Sequence, residues 1–177
     1  MKCLVGKTGF VGSNLWASGA FDCGYHSTDI EQAYGLQPDL LVYAGVRAEK
    51  YLANHDAELD WQQVSTALDN IRAIAPQKLV LISTVDVYPD PRNVDEDAVI
   101  DMDVLQPYGR NRRRLEEGVQ KLYPQALIVR LPALYGKNLK KNFIYDMMTL
   151  IPYMLHESKF QDLAERSALI RQSYTRQ

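Results

Sequence analysis

Short, uniformly apolar runs separated by longer stretches of helical periodicity dominate this chain. Residues 2–5, 40–44, 79–83 and 126–129 are apolar almost throughout and do not alternate with polar positions. A run of that kind fits a strand buried on both faces of a parallel sheet. Residues 24–27 form a weaker strand candidate. Residues 11–18, 56–74 and 108–122 read as the intervening helices. In the second of these, Leu59, Val64, Leu68 and Ile71 are spaced for one face; in the third, Leu115, Val119 and Leu122 are. Strand–helix alternation predicts an α/β fold, a doubly wound parallel sheet in which the strands ending near Val5, Ala44 and Ser83 lie side by side.

Two segments break the pattern. Residues 88–107 are rich in Pro, Asp and Asn and read as a long loop, a length that in a compact domain usually serves function. Residues 155–177 are mostly polar, with one amphipathic stretch over 160–170. The expected organisation is therefore one domain over residues 1–154 and a C-terminal helical tail over residues 155–177. A length of 177 residues suits a single domain, and 46% hydrophobic with 24% charged residues suits a soluble chain with a real core. The net charge of −2 gives no footprint for nucleic acid or an anionic membrane. No apolar run approaches a membrane span, and the N-terminal residues lack a signal peptide's apolar region. Cys3 and Cys23 make neither a disulfide framework nor a zinc site, and are expected to be reduced core thiols of a cytoplasmic protein. His26, His55 and His156 have no metal-ligating neighbours in sequence and read as structural or surface residues.

The chemistry begins at Gly6-Lys7-Thr8-Gly9-Phe10-Val11-Gly12, which follows the first strand and opens a helix. Glycine is required there because the backbone must turn tightly, approach a pyrophosphate closely and let helix pack on strand. The helix start adds free N–H groups and partial positive charge. Gly6-Lys7-Thr8 also resembles the end of an NTPase phosphate loop. That loop needs a glycine where this chain has Met1 and a strand before it, so the NTPase reading fails.

Four further stretches occur in a telling order: Tyr43-Ala44-Gly45-Val46-Arg47, Leu81-Ile82-Ser83-Thr84-Val85-Asp86-Val87-Tyr88, Pro107-Tyr108-Gly109-Arg110-Asn111-Arg112, and Val129-Arg130-Leu131-Pro132-Ala133-Leu134-Tyr135-Gly136. With the glycine loop, they make residues 1–145 resemble the extended short-chain dehydrogenase/reductases, the NAD-dependent epimerase/dehydratase group. The Gly-Lys-Thr-Gly run is similar to that of the dTDP-4-dehydrorhamnose reductases. The resemblance implies a Rossmann fold with NAD or NADP as cofactor. It implies cofactor contacts from Gly6, Thr8, Gly9, Phe10, Val11, Gly12, Asp29, Ile30, Ala44, Gly45, Arg47, Ser83, Tyr108, Arg112 and Leu131. Tyr108 matches the family's acid–base tyrosine. Arg112 stands where the family has a lysine that binds the nicotinamide ribose and lowers the tyrosine pKa. Thr84 matches the residue that hydrogen-bonds the reacting oxygen.

The departures from the family narrow the chemistry. Val85 replaces the acid of the sugar dehydratases, which counts against dehydration. Ala133 stands where many epimerases carry an asparagine that contacts the nucleotide sugar. The region around Asp29 and Ile30 is compressed, which leaves NAD against NADP open. The chain also stops short of the family's C-terminal part, so most of the substrate lobe is expected to be absent. An open groove is expected near Thr84, Tyr108 and Ala133, bordered by Phe143, Met147, Leu150 and Ile151. The leading expectation is an oxidoreductase or epimerase acting on a nucleotide-sugar-like substrate, with a homodimer as an admissible assembly. The alternative is a non-catalytic dinucleotide-binding module or redox-sensing subunit.

Overall fold

The computed structural model describes residues 1–139, 145, 157–166 and 168–173. Met1–Leu134 forms one compact unit and Tyr135–Gln177 a second. In the first unit the order is β1 (Lys2–Val5), α1 (Phe10–Trp16), β2 (Cys23–Tyr25), β3 (Leu40–Tyr43), α2 (Lys50–His55), α3 (Ala57–Ile74), β4 (Leu79–Thr84), α4 (Pro107–Leu122) and β5 (Leu127–Leu131). The strands make one five-stranded sheet in the order β2-β1-β3-β4-β5. Every neighbouring pair is parallel. The doubly wound parallel sheet is thus the one the apolar runs predict.

The core lies where the sheet meets α3 and α4. Leu41 and Leu81 on the strands, Ile71 and Ile74 on α3, and Val119 on α4 are all fully buried. Helix α3 starts where the Asp56 carboxylate accepts the Leu59 N–H at 3.0 Å, and it ends at Ala75 in left-handed backbone. Its buried stripe is Val64, Ala67, Ile71 and Ile74. Leu59 and Leu122, expected on the inner faces, are largely exposed. At 100° per residue Leu59 falls well away from that stripe. Strand β5 also departs from expectation. It borders the sheet, and Leu127 is 60% exposed, so its apolar run is not buried on both faces. Helix α2 was not foreseen, because a helix of six residues is too short to show a period.

The two cysteines are not free thiols. Cys3 and Cys23 occupy directly paired positions on β1 and β2, with Cα atoms 4.8 Å apart, and are joined by a disulfide. Strand pairing puts both side chains on one face of the sheet, within bonding reach. Counting cysteines cannot reveal such a juxtaposition.

In the second unit, α5 (Glu157–Arg166) and α6 (Ala168–Ser173) are joined by a hydrogen bond from Arg171 Nε to the Ala164 carbonyl at 3.1 Å. The domain boundary expected at 154/155, and the apolar border expected from Phe143, Met147, Leu150 and Ile151, lie outside the described residues. No described helix is long and apolar enough to cross a membrane.

Cys23→Ser, or reduction of the parent, is expected to cost about 2–4 kcal/mol of stability by removing a cross-link over a 20-residue separation. Urea unfolding with and without dithiothreitol measures this. Equal midpoints in the two buffers would show that the bond contributes nothing.

Candidate functional site

The glycine loop sits at the C-terminal ends of the strands. Its Gly6 N–H donates to the Tyr25 carbonyl at 2.7 Å, which ties the loop to the end of β2. A Cβ on Gly12 would lie 1.9 Å from the Gly6 carbonyl oxygen, so α1 rests directly on the loop backbone. Gly9, which precedes α1, differs. It is exposed, and a Cβ there would meet only the Gly6 oxygen, at 3.4 Å. The loop therefore presents backbone to open space at Gly9, flanked by exposed Thr8 and half-buried Phe10 and Val11. This is a cradle that a side chain would fill, and it fits a phosphate-bearing ligand.

Beyond β2 lies a small charged cluster. Asp29 takes the His26 backbone N–H on Oδ1 at 2.6 Å and faces His26 Nε2 at 3.2 Å and Lys7 Nζ at 3.5 Å on Oδ2. The His26 N–H bond, joined by the charges of His26 and Lys7, holds its carboxyl below the usual carboxylate range. Lys7 also donates to the Gly24 carbonyl at 2.6 Å. Ile30, matched to adenine contact, is buried.

The other half of the site gathers at the end of β4. A Cβ on Gly109 would lie 2.0 Å from the Asp86 carbonyl oxygen, so the first turn of α4 can dock on that strand end only with glycine there. The docking brings Tyr108 alongside. Its N–H donates to Asn54 Oδ1 at 2.9 Å, and its side chain is buried. Burial pushes the Tyr108 phenol above the ordinary tyrosine value; the Arg112 charge pulls it down and the Asp86 carboxylate pushes it up. The Arg112 guanidinium stands 4.2 Å from the Tyr108 ring centroid. It binds both Asp60 carboxylate oxygens, at 3.1 and 2.8 Å, and donates to the Arg47 carbonyl at 2.5 Å. Asn111 adds a bond to Asp60 and one to the Ala57 carbonyl. Thr84 donates to Asp86 Oδ2 at 3.3 Å, and Lys50 holds Asp86 Oδ1 at 2.7 Å.

Of the remaining expected contacts, Ala44 and Leu131 are partly exposed and Gly45 and Arg47 exposed. Ser83 is turned away, donating at 2.6 Å to Glu116, a fully buried carboxylate that also binds Arg130 and Arg113. Arg130 in turn lies over the Tyr88 ring. An open groove of about 540 Å³ runs along this side, bordered by Val85, Tyr88, Val94, Asp95 and Arg130; Thr84, Tyr108 and Ala133 do not line it. No cluster of metal-ligating side chains occurs among the described residues. Asp60, Asn54, Lys50 and Asp86 were not singled out in the sequence. Asp86 lay inside a matched motif, but nothing in spacing pointed to the other three.

A family model described as the NAD dependent epimerase/dehydratase family matches residues 26–165. The chain belongs to the NAD-dependent epimerase/dehydratase family. The match begins after the glycine loop. Among solved structures, dTDP-4-dehydrorhamnose reductase from Bacillus anthracis, in complex with NADP, is similar at TM-score 0.68 and 21% identity, covering 85% of this chain and 60% of that one. UDP-galactose 4-epimerase is similar at TM-score 0.64 and 20% identity, covering 85% and 62%. RMD from Pseudomonas aeruginosa, complexed with NADPH, gives 0.63 and 19%, covering 81% and 58%. The chain thus spans about 60% of the length of these structures. Comparison with curated proteins gave no match.

In this member of the epimerase/dehydratase family, Asp60→Ala leaves Arg112 buried and uncompensated. The expected cost is about 3–5 kcal/mol, read as a lowered midpoint of urea unfolding. A loss under ~1 kcal/mol, the scale of an exposed ion pair, would contradict the burial of the pair.

Proposed function

We propose that the chain binds NAD or NADP across the C-terminal ends of β1 to β4 and serves an oxidoreductase or epimerase reaction on a nucleotide-sugar-like substrate. The carrying observation is that one sheet edge holds both the open glycine loop at Gly9 and the Thr84–Asp86–Tyr108 group. Doubly wound sheets take dinucleotides at this edge, where the strand order reverses between β1 and β3. NADP and NADPH in the similar reductase and RMD structures support the cofactor class. The contacts read from the sequence, from Gly6 to Leu131, belong to the same proposal, save the side chains of Ser83 and Arg112, which are engaged inward on Glu116 and Asp60.

When bound, the dinucleotide supplies or accepts the hydride. The protein's part is the proton. Tyr108, which burial keeps protonated, is placed to act as general acid toward a substrate oxygen. Arg112 beneath the ring supplies a positive field that eases the return to tyrosinate. Thr84, at the strand end, polarises the substrate oxygen once its hydroxyl turns from Asp86. The division into residues 1–154 and 155–177, a homodimer and a cytoplasmic location belong to the same reading. In the cytoplasm the Cys3–Cys23 bond would be a reducible one.

A second reading is favoured by the full engagement of Arg112 with Asp60 and Arg47: a dinucleotide-binding module without turnover. The two separate on turnover: NAD(P)H oxidation with nucleotide 4-keto sugars, or epimer formation from nucleotide sugars, since an epimerase returns its hydride and shows no net oxidation. Binding with neither selects the module.

Titration of nicotinamide fluorescence is expected to show saturable binding of NADH or NADPH, abolished in a Gly9→Asp variant that still unfolds like the parent. The added carboxylate would occupy and repel the pyrophosphate position. Parent-like binding by that variant would remove the loop from the cofactor site. Gly12→Asp is no clean probe, because its Cβ strikes the Gly6 backbone.

A pH dependence also follows. A phenol held above its unfolded value contributes stability that is present below the ordinary tyrosine value and is lost as pH rises through the folded one. Parent protein is therefore expected to lose stability toward alkaline pH more steeply than Tyr108→Phe. Identical alkaline curves would show that Tyr108 is not held neutral.

A further inference from the structure

We infer that Lys50, held by Asp86, is the residue that grips the ribose diol of the second, non-adenosine nucleoside of the bound dinucleotide. This rests on the dinucleotide reading above and assigns a contact within it. The sheet order supplies the position. The glycine loop at the end of β1 takes the pyrophosphate, and the adenosine ribose lies toward the end of the strand that follows, β2. The order β2-β1-β3-β4-β5 then carries the other nucleoside in the opposite direction, over the ends of β3 and β4. The polar groups at that end are Thr84, Asp86 and Lys50, which starts α2 just beyond the turn from β3.

The chemistry supplies the function. Arg112, placed by sequence where a ribose-binding cation is expected, is only 5% exposed in its side chain and is turned inward onto Asp60 and the Arg47 carbonyl. It acts on Tyr108 from below and does not reach outward. Lys50 is the reverse: its side chain is 56% exposed and spends one donor on Asp86, leaving two of an ammonium's three N–H groups. Asp86, 36% exposed, keeps acceptor sites on both carboxylate oxygens. An ammonium beside a carboxylate offers donors and acceptors together, which is the complement of two vicinal hydroxyls, each both donor and acceptor. Thr84 fixes the carboxylate from the strand side: its Oγ1 accepts the Asp86 N–H at 3.2 Å and donates to Oδ2 at 3.3 Å. The pair is therefore preorganised while its outer face stays open.

The test compares ligands that do and do not contain the second ribose, on the full chain and on Lys50→Ala. ADP carries only the adenosine half; ADP-ribose and NADH carry both riboses. Isothermal titration is expected to show NADH and ADP-ribose weakened about tenfold or more in Lys50→Ala, the scale of losing charge-assisted hydrogen bonds, with ADP unchanged. Unchanged NADH affinity overturns the assignment, as does an equal loss for ADP, which would mean a general charge effect. Should the parent bind neither ADP nor NADH, the dinucleotide reading falls and this inference with it; parent binding with an insensitive Lys50 variant removes the inference alone. An independent measurement uses the parent only. NADH is expected to protect Lys50 from amine acylation, read by mass spectrometry, whereas ADP is not. Equal labelling of Lys50 with and without NADH overturns the assignment even if the variant fails to fold.

Discussion

The site depends on how closely the backbone of α4 approaches the end of β4. A side chain on Gly109 would lie inside the Asp86 carbonyl, so one missing methyl group sets where α4 begins relative to the sheet. Tyr108, one residue earlier, and Asp86 with Thr84 across the contact are positioned together by it. The same helix is then locked sideways. Asp60 on α3 collects Arg112 and Asn111, Arg112 reaches the Arg47 carbonyl in the turn after β3, and Asn54 on α2 takes the Tyr108 N–H. Residues 47–60 and the strand end at 84–86 thus converge on the first turn of α4, which carries Tyr108 and Arg112.

Two cations near Tyr108 illustrate a division between holding and reaching. A guanidinium with its fork on a carboxylate is rigid and permanently charged, which suits a buried position beneath a ring. An ammonium on a half-exposed four-carbon stem is a movable donor, which suits a surface where hydroxyls arrive. The family's pattern asks one lysine at position 112 for both services. Here the buried position carries arginine, and the open edge of the site carries Lys50.

Much of the architecture was legible in the sequence because it rests on local patterns. The runs at 40–44 and 79–83 became inner strands of the sheet because Leu41, Tyr43, Leu79 and Leu81 fill the core against the helices. The glycines at 6, 9 and 12 located the loop because strand, turn and helix follow one another without a break. What stayed hidden depends on residues brought together from afar. Asp60 reads as an ordinary acid in the first turn of α3 until Arg112 arrives from 52 residues away. Ser83 matched a cofactor contact, yet its hydroxyl faces Glu116, a choice made by the helix packed behind the sheet. Lys50 lies in a helix too short to show a period. The cysteines looked inert because strand register, and not spacing, makes them neighbours.

That register matters at the rim of the sheet. Strand β2 is three residues long and terminal, so the unpaired backbone it shows to solvent is short, a poor template for a strand from another molecule. Beneath it, β1 is longer and almost wholly buried, and β1 would become the new rim if β2 peeled away. The covalent bond between Cys3 and Cys23 forbids that peeling. Its second consequence is therefore colloidal: the cross-linked chain keeps β1 covered, and self-association through β1 is confined to molecules in which the bond has been opened.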